Sequence, residues 1–107
     1  MTDRDFIGYG PNPPSIQWPN EARIAISLVV NYEEGSEYSL LDGDASGETM
    51  GEAPSPVPIG QRDLANESFF EYGSRVGVWR IMNIFDEFDV KSTFYACGLA
   101  LERNPEV

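Results

Sequence analysis

The stretch Ala22-Arg23-Ile24-Ala25-Ile26-Ser27-Leu28-Val29-Val30-Asn31-Tyr32 decides how the rest of the chain is read. In an extended backbone Ile24, Ile26, Leu28 and Val30 share one face, and Ala25, Ser27, Val29 and Asn31 share the other. Both faces are mostly apolar. A parallel strand covered on both sides has this pattern, whereas a one-sided antiparallel strand carries more charge on one face. The sequence therefore predicts a buried strand over 22–32, running directly into Glu33-Glu34-Gly35.

On the C-terminal side, residues 33–67 break every period. They hold five glycines (Gly35, Gly43, Gly47, Gly51, Gly60), the prolines Pro54, Pro56 and Pro58, and many acids. A loop of this length is either a lid or binding loop, or a surface insertion. Over 68–89, Val78, Ile81, Met82, Phe85 and Phe88 form a stripe at helical spacing, with Arg80, Asn83, Asp86 and Glu87 opposite. The helix has two candidate starts: a capping box at Ser68-Phe69-Phe70-Glu71, or an N-cap at Gly73-Ser74. Residues 90–97 read as a second strand through the β-propensity of Thr93, Phe94 and Tyr95. Asn104-Pro105-Glu106 is a further helix-start signal.

Strand, long crossover with a helix, and strand make a βαβ unit, which implies parallel pairing. Two strands and one helix leave a strand edge and a sheet face bare, so the expected fold is α/β and one piece of a larger assembly. Residues 21–107 form the βαβ portion. Residues 1–20 form an arm broken by Gly8, Gly10, Pro11, Pro13, Pro14 and Pro19. Its Ile7, Tyr9, Ile16 and Trp18 are too many large apolar groups for a disordered tail, so the arm is expected to pack onto something.

Composition narrows the function. The 107 residues carry 18 acids against 7 bases, a net charge of −11. Such a surface repels phosphate backbones and anionic lipid, so neither nucleic acid nor membrane is an expected partner. Met1-Thr2-Asp3-Arg4-Asp5 lacks a signal-peptide pattern, and apolar runs such as Leu28-Val29-Val30 are far too short to span a bilayer. The lone Cys97, in the apolar run Phe94-Tyr95-Ala96-Cys97, is expected to be a buried thiol and cannot form an internal disulfide. A cytoplasmic protein is the resulting expectation. Histidine is absent, so this chain brings no imidazole base or ligand.

The candidate chemistry lies at Asn31, Glu33 and Glu34. Parallel α/β folds gather active sites at the C-terminal ends of their strands. Strand alternation points Asn31 and Glu33 one way and Glu34 the other. Gly35 permits a sharp turn that brings both acids to the rim, where one of them suits general-base work. Arg75, just before the helical stripe, either grips a substrate oxygen with its planar fork or pairs with Glu71 one turn earlier. Tyr72 and Trp79 either flank a ligand or pack between helix and sheet.

Asn31-Tyr32-Glu33-Glu34-Gly35 resembles the first motif of the polysaccharide deacetylase superfamily, whose usual form is Thr-Phe-Asp-Asp-Gly. The Asn-Tyr-Glu-Glu variant resembles its allantoinase-like branch, which hydrolyses cyclic amides. Further stretches are similar to the same branch: Arg4 to Gly10, Pro13-Pro14, Trp18-Pro19, Ala22 to Ala25, Glu71 to Arg80, Cys97-Gly98, and Glu102 to Val107. The likeness spans nearly the whole chain outside 36–66.

The resemblance implies the N-terminal part of a deformed, TIM-like (β/α) barrel that continues past Val107, where a histidine motif would follow. It implies a hydrolase of a C–N bond in a small cyclic amide such as allantoin or a cyclic imide. Glu33 would be the base, with Asn31 a hydrogen-bond donor beside it. Glu34 would orient substrate or water, or bind a metal. Tyr72 and Arg75 would contact substrate. Each glutamate reaches about 1.5 Å further than the family's aspartate, which implies an altered divalent-metal site (zinc is one candidate ion) or none. The expected partners are the substrate, the rest of the barrel or a second chain, and further copies in a homo-oligomer. The rival readings are a metal-dependent N-deacetylase of sugars and a non-catalytic barrel fragment.

Overall fold

A computed structural model describes residues 3–50 and 57–107, and its centre is a pair of parallel strands. Strand β1 is Val29–Tyr32 and β2 is Thr93–Ala96, with Val29 opposite Thr93 and Tyr32 opposite Ala96. The ladder is closed at both ends by main-chain bonds, Thr93 N–H to the Leu28 carbonyl (2.8 Å) and Cys97 N–H to the Tyr32 carbonyl (2.9 Å). Helix α1 (Leu64–Tyr72), a wide π turn (Gly73–Gly77) and helix α2 (Val78–Glu87) form the crossover. A short helix α3 (Gly98–Arg103) follows β2. The expected βαβ order and parallel pairing are present.

Several boundaries differ from the sequence reading. Both strands are shorter than expected, because a ladder extends only as far as its partner. Ile24 and Ile26 pair with nothing among the described residues and stand 69% and 76% exposed. The helix starts at neither expected cap. Asp63 begins it, its carboxylate accepting from the amides of Ala65 and Asn66, both at 3.1 Å. A hydrogen-bonded ion pair between Arg62 and Glu67 reinforces that first turn, and Arg62 holds the Glu67 carboxyl below the usual glutamate range. Asp63 supplies the N-cap oxygen that the later candidates were expected to provide.

The loop after β1 contains local structure. Leu40–Asp42 is a 3-10 turn whose Leu41 amide donates to Ser39 Oγ, while the Ser39 amide donates to Asp44. Gly51, Pro54 and Pro56, part of the loop reading, lie outside the described residues, as do Met1 and Thr2. Asn104, expected to open a helix, closes α3: its amide donates to the Ala100 carbonyl at 3.0 Å. A turn over Pro105-Glu106 follows.

Tyr32, Val78 and Ala100 are the buried core, with Met82, Phe94, Ala96, Cys97 and Val107 packed around them. The helical stripe is only partly covered, since Val78 is buried while Phe88 is 68% exposed. The large apolar groups of the arm stand open among the described residues: Phe6, Ile7, Tyr9 and Ile16 are 66–89% exposed. The radius of gyration is 20.0 Å, against about 13 Å for a compact chain of this length. The accessible surface is 9227 Å², against roughly 6,000 Å² for a compact protein of this mass. The sheet and helices thus leave much apolar surface exposed, including Val29, Ile84 and Phe88. No helix among the described residues is long and apolar enough to cross a membrane.

Candidate active site at the end of the first strand

Regular pairing stops at Tyr32, and the next three residues form a turn fixed by its own side chains. The Ser36 amide and hydroxyl both donate to the Glu33 carbonyl, at 2.9 and 2.6 Å. The Gly35 amide donates to the Glu37 carboxylate. Gly35 has φ +101°, a conformation that side chains rarely adopt, so the turn requires glycine at this position. Sequence reasoning assigned it this role.

This turn splits the acid pair between two grooves. Glu33 is exposed and lines a groove of about 450 Å³ with Ser36, Glu37, Glu48, Phe70 and Cys97. Glu34 is half-buried and lines a second, of about 250 Å³, with Asn31, Phe69, Tyr72, Gly73 and Ile81. Phe69 and Phe70, adjacent on α1, face the two grooves separately. Alternation placed Asn31 beside Glu33, but the structure groups Asn31 with Glu34, because alternation ends where the ladder ends. Cys97 is half-buried rather than fully buried, and it is one of the residues lining the groove that holds Glu33. The acids still touch through the main chain, since the Glu33 amide donates to Glu34 Oε2 at 3.2 Å.

Tyr72 lines the Glu34 groove, half-exposed, with its hydroxyl accepting from Arg80 at 2.8 Å. Of the two roles open to Arg75, the structure shows the ion pair: Nη1 lies 3.4 Å from Glu71 Oε2, with both side chains well exposed. Trp79 is 37% exposed and lines neither groove.

Two further residues shape the site, and the sequence reading gave neither of them a role in it. Arg103, at the end of α3, donates to the Gly35 carbonyl at 2.7 Å and to Asp42 at 2.8 Å, tying the acid turn to the 3-10 turn. Asn104 donates through Nδ2 to the hydroxyl of buried Tyr32 at 3.0 Å and to the Ser74 carbonyl at 3.4 Å. It thereby links β1, the π turn and α3 beneath the acids. The sequence signals were their place in the stretch Glu102 to Val107 and, for Asn104, a helix-start reading that pointed to the chain after it rather than to the acids. Among the described residues, no three of His, Cys, Asp and Glu come together as a metal site.

Comparison with known proteins places this geometry. No family model matches the chain. A curated protein of Schizosaccharomyces pombe, described as "Putative polysaccharide deacetylase", is 47% identical over 97% of this chain and 34% of its own length. The crystal structure of PuuE allantoinase superposes with a TM-score of 0.81 at 48% identity, over 99% of this chain and 36% of that one. The crystal structure of a "probable Polysaccharide deacetylase" from Pseudomonas aeruginosa PAO1 gives 0.80 at 48% identity, over 98% and 36%. The chain spans about a third of the length of these relatives. With this identity, this fold and the acid pair at the strand end, the chain belongs to the polysaccharide deacetylase superfamily.

Proposed function

We propose that the protein carrying this chain hydrolyses a C–N bond in a small cyclic amide, allantoin or a cyclic imide, in the manner of the allantoinase-like branch. The observation that carries this reading is Glu33-Glu34 at the C-terminal end of a parallel strand, each acid on its own groove, in a chain 48% identical to PuuE allantoinase. β1 and β2 are read as two strands of a (β/α) barrel whose remainder covers the exposed apolar surface and completes the site.

In the proposed reaction Glu33 takes a proton from a water as its oxygen attacks the ring carbonyl carbon. The ring C–N bond then breaks, and the nitrogen leaves with a proton returned by the same carboxyl group. Asn31 and Glu34, on the neighbouring groove with Tyr72, orient the ring through its polar edge. The metal that the superfamily implies does not fit the described residues by themselves. Glu34 is one candidate ligand, but its carboxylate faces the Glu33 amide and Gly73, and no three of His, Cys, Asp and Glu gather around a metal position among the described residues.

The test is turnover by the full-length protein of allantoin, a cyclic imide and an N-acetylglucosamine oligomer. Hydrolysis of a cyclic substrate is expected, and turnover of the oligomer alone would overturn the reading in favour of N-deacetylation. Glu33→Gln keeps size but removes the basic lone pair. It is expected to lower kcat and kcat/KM together by about 10²–10⁴-fold. Near-full kcat in that variant, with Glu34→Gln inactive, would exchange the two roles.

A further inference from the structure

Gly73 opens the π turn with φ −55° and ψ −52°, ordinary helical angles. Its backbone therefore does not call for glycine, and alanine suits such a position better. The reason for glycine lies in the space beside it. A Cβ built on Gly73 would stand 2.6 Å from Glu34 Cγ and 2.7 Å from Cδ, closer than real contacts allow. The Glu34 side chain thus lies flat against the bare Cα of residue 73. Its other oxygen accepts from the Glu33 amide.

The surroundings fix this seat. The π turn displaces the helix path at Gly73–Gly77, a distortion that recurs at functional sites. Asn104 anchors the turn by its bond to the Ser74 carbonyl, and the same amide group holds Tyr32, two residues before Glu34. The floor beneath the carboxylate and the strand that delivers it are therefore held by one side chain.

We propose that Gly73 is a positioning residue: the space left by its missing side chain is where the Glu34 carboxylate is seated. The inference rests on the proposed role of Glu34 in orienting the cyclic substrate. It adds that residue 73 sets how far that carboxylate protrudes into the groove. A methyl group there pushes Glu34 outward, toward Asn31 and Tyr72. The flexible glutamate yields before the backbone does, so the fold survives the change.

The experiment compares Gly73→Ala, Glu34→Asp and the double variant in the full-length protein, by crystal structure, thermal melting and steady-state kinetics on the cyclic substrate. Gly73→Ala is expected to melt no lower than wild type, to show the carboxylate displaced, and to lose about 10²-fold in kcat/KM, as misplacement of about 1 Å can cost. Glu34→Asp shortens the side chain by one methylene and makes room. The double variant is therefore expected to exceed the kcat/KM predicted from the product of the two single losses by tenfold or more. That coupling is a readout that general damage to the helix would not give. A Glu34 carboxylate that keeps its wild-type place in Gly73→Ala, or single losses that simply multiply, would overturn the proposal. If Gly73→Ala fails to fold, recovery of folding in the double variant supports it and continued failure overturns it. A displaced carboxylate with unchanged kinetics would confirm the seat and remove Glu34 from the reaction, separating this inference from the functional reading on which it rests.

Discussion

Tyr32 and Tyr9 are the same side chain in opposite surroundings. Tyr32 ends β1, is 1% exposed, and its hydroxyl accepts from Asn104, 72 residues away in sequence. Tyr9 sits in the arm, 74% exposed, directly after Ile7 and Gly8, whose amides donate to the Asp5 carboxylate. Those amides, Gly8's first and then Ile7's, hold the Asp5 carboxyl below its usual range, yet the arrangement orders only the arm itself. Contacts around Tyr32 join three elements, and those around Asp5 join neighbours. The acid pair emerges from the first kind of region, where long-range bonds hold the backbone still. The arm carries comparable apolar groups that find no cover among the described residues.

The largest test of that contrast is a pair of truncations in the full-length protein. Tyr32→Ala should cost about 3–5 kcal/mol, the range for emptying a buried aromatic site. Tyr9→Ala should stay within about 0.5 kcal/mol, as for exposed positions. Urea unfolding midpoints report both. A loss above about 2 kcal/mol at Tyr9 would break the contrast and show the arm buried by other parts of the native protein. A smaller effect is expected of Arg75→Ala. An exposed pair at this spacing is worth about 0.5 kcal/mol or less, so both melting and kcat/KM should hardly move. A tenfold fall in kcat/KM at unchanged stability would instead place Arg75 on the substrate.

The contrast also explains what was legible. Local patterns were readable: the stripe from Val78 to Phe85 follows from helical spacing, and Glu33-Glu34-Gly35 declares a turn with two acids. Elements that depend on distant partners were not. The strand over 22–32 looked uniform, but only Val29–Tyr32 meets β2. Helix α3 hid because Gly98 opens it without a side-chain cap on Cys97. Its closing residues, Arg103 and Asn104, act on groups 61 to 72 positions away. No period or spacing encodes that. Gly73 read, with Ser74, as a candidate helix start, because nothing local announces that Glu34 occupies its side-chain space.

The smallest expected effect lies at the start of α1. Glu67 titrates lower in the folded chain than when unfolded, chiefly through its bond to Arg62. Its contribution is therefore complete above the unfolded glutamate range, about 4.3, and fades as pH falls through the lower folded value. The protection of amides in the first turn of α1, relative to their intrinsic exchange rate, should fall over that window, and Glu67→Gln should remove that loss of protection. An unchanged profile in Glu67→Gln would assign the acid response to Asp63, the N-cap.

The register of the sheet has a consequence in time. Val29 pairs with Thr93, so 64 residues separate the two halves of the ladder. A ribosome adding roughly 5–20 residues per second needs on the order of 3 to 13 seconds to supply β2 once β1 is made. Throughout that interval β1 has finished synthesis but has no β2 to pair with, and its apolar side chains and unpaired amides are open to other chains. Nascent protein should therefore depend on chaperones early, before α3 is made, and slowing translation between residues 33 and 92 should lower the yield of folded protein.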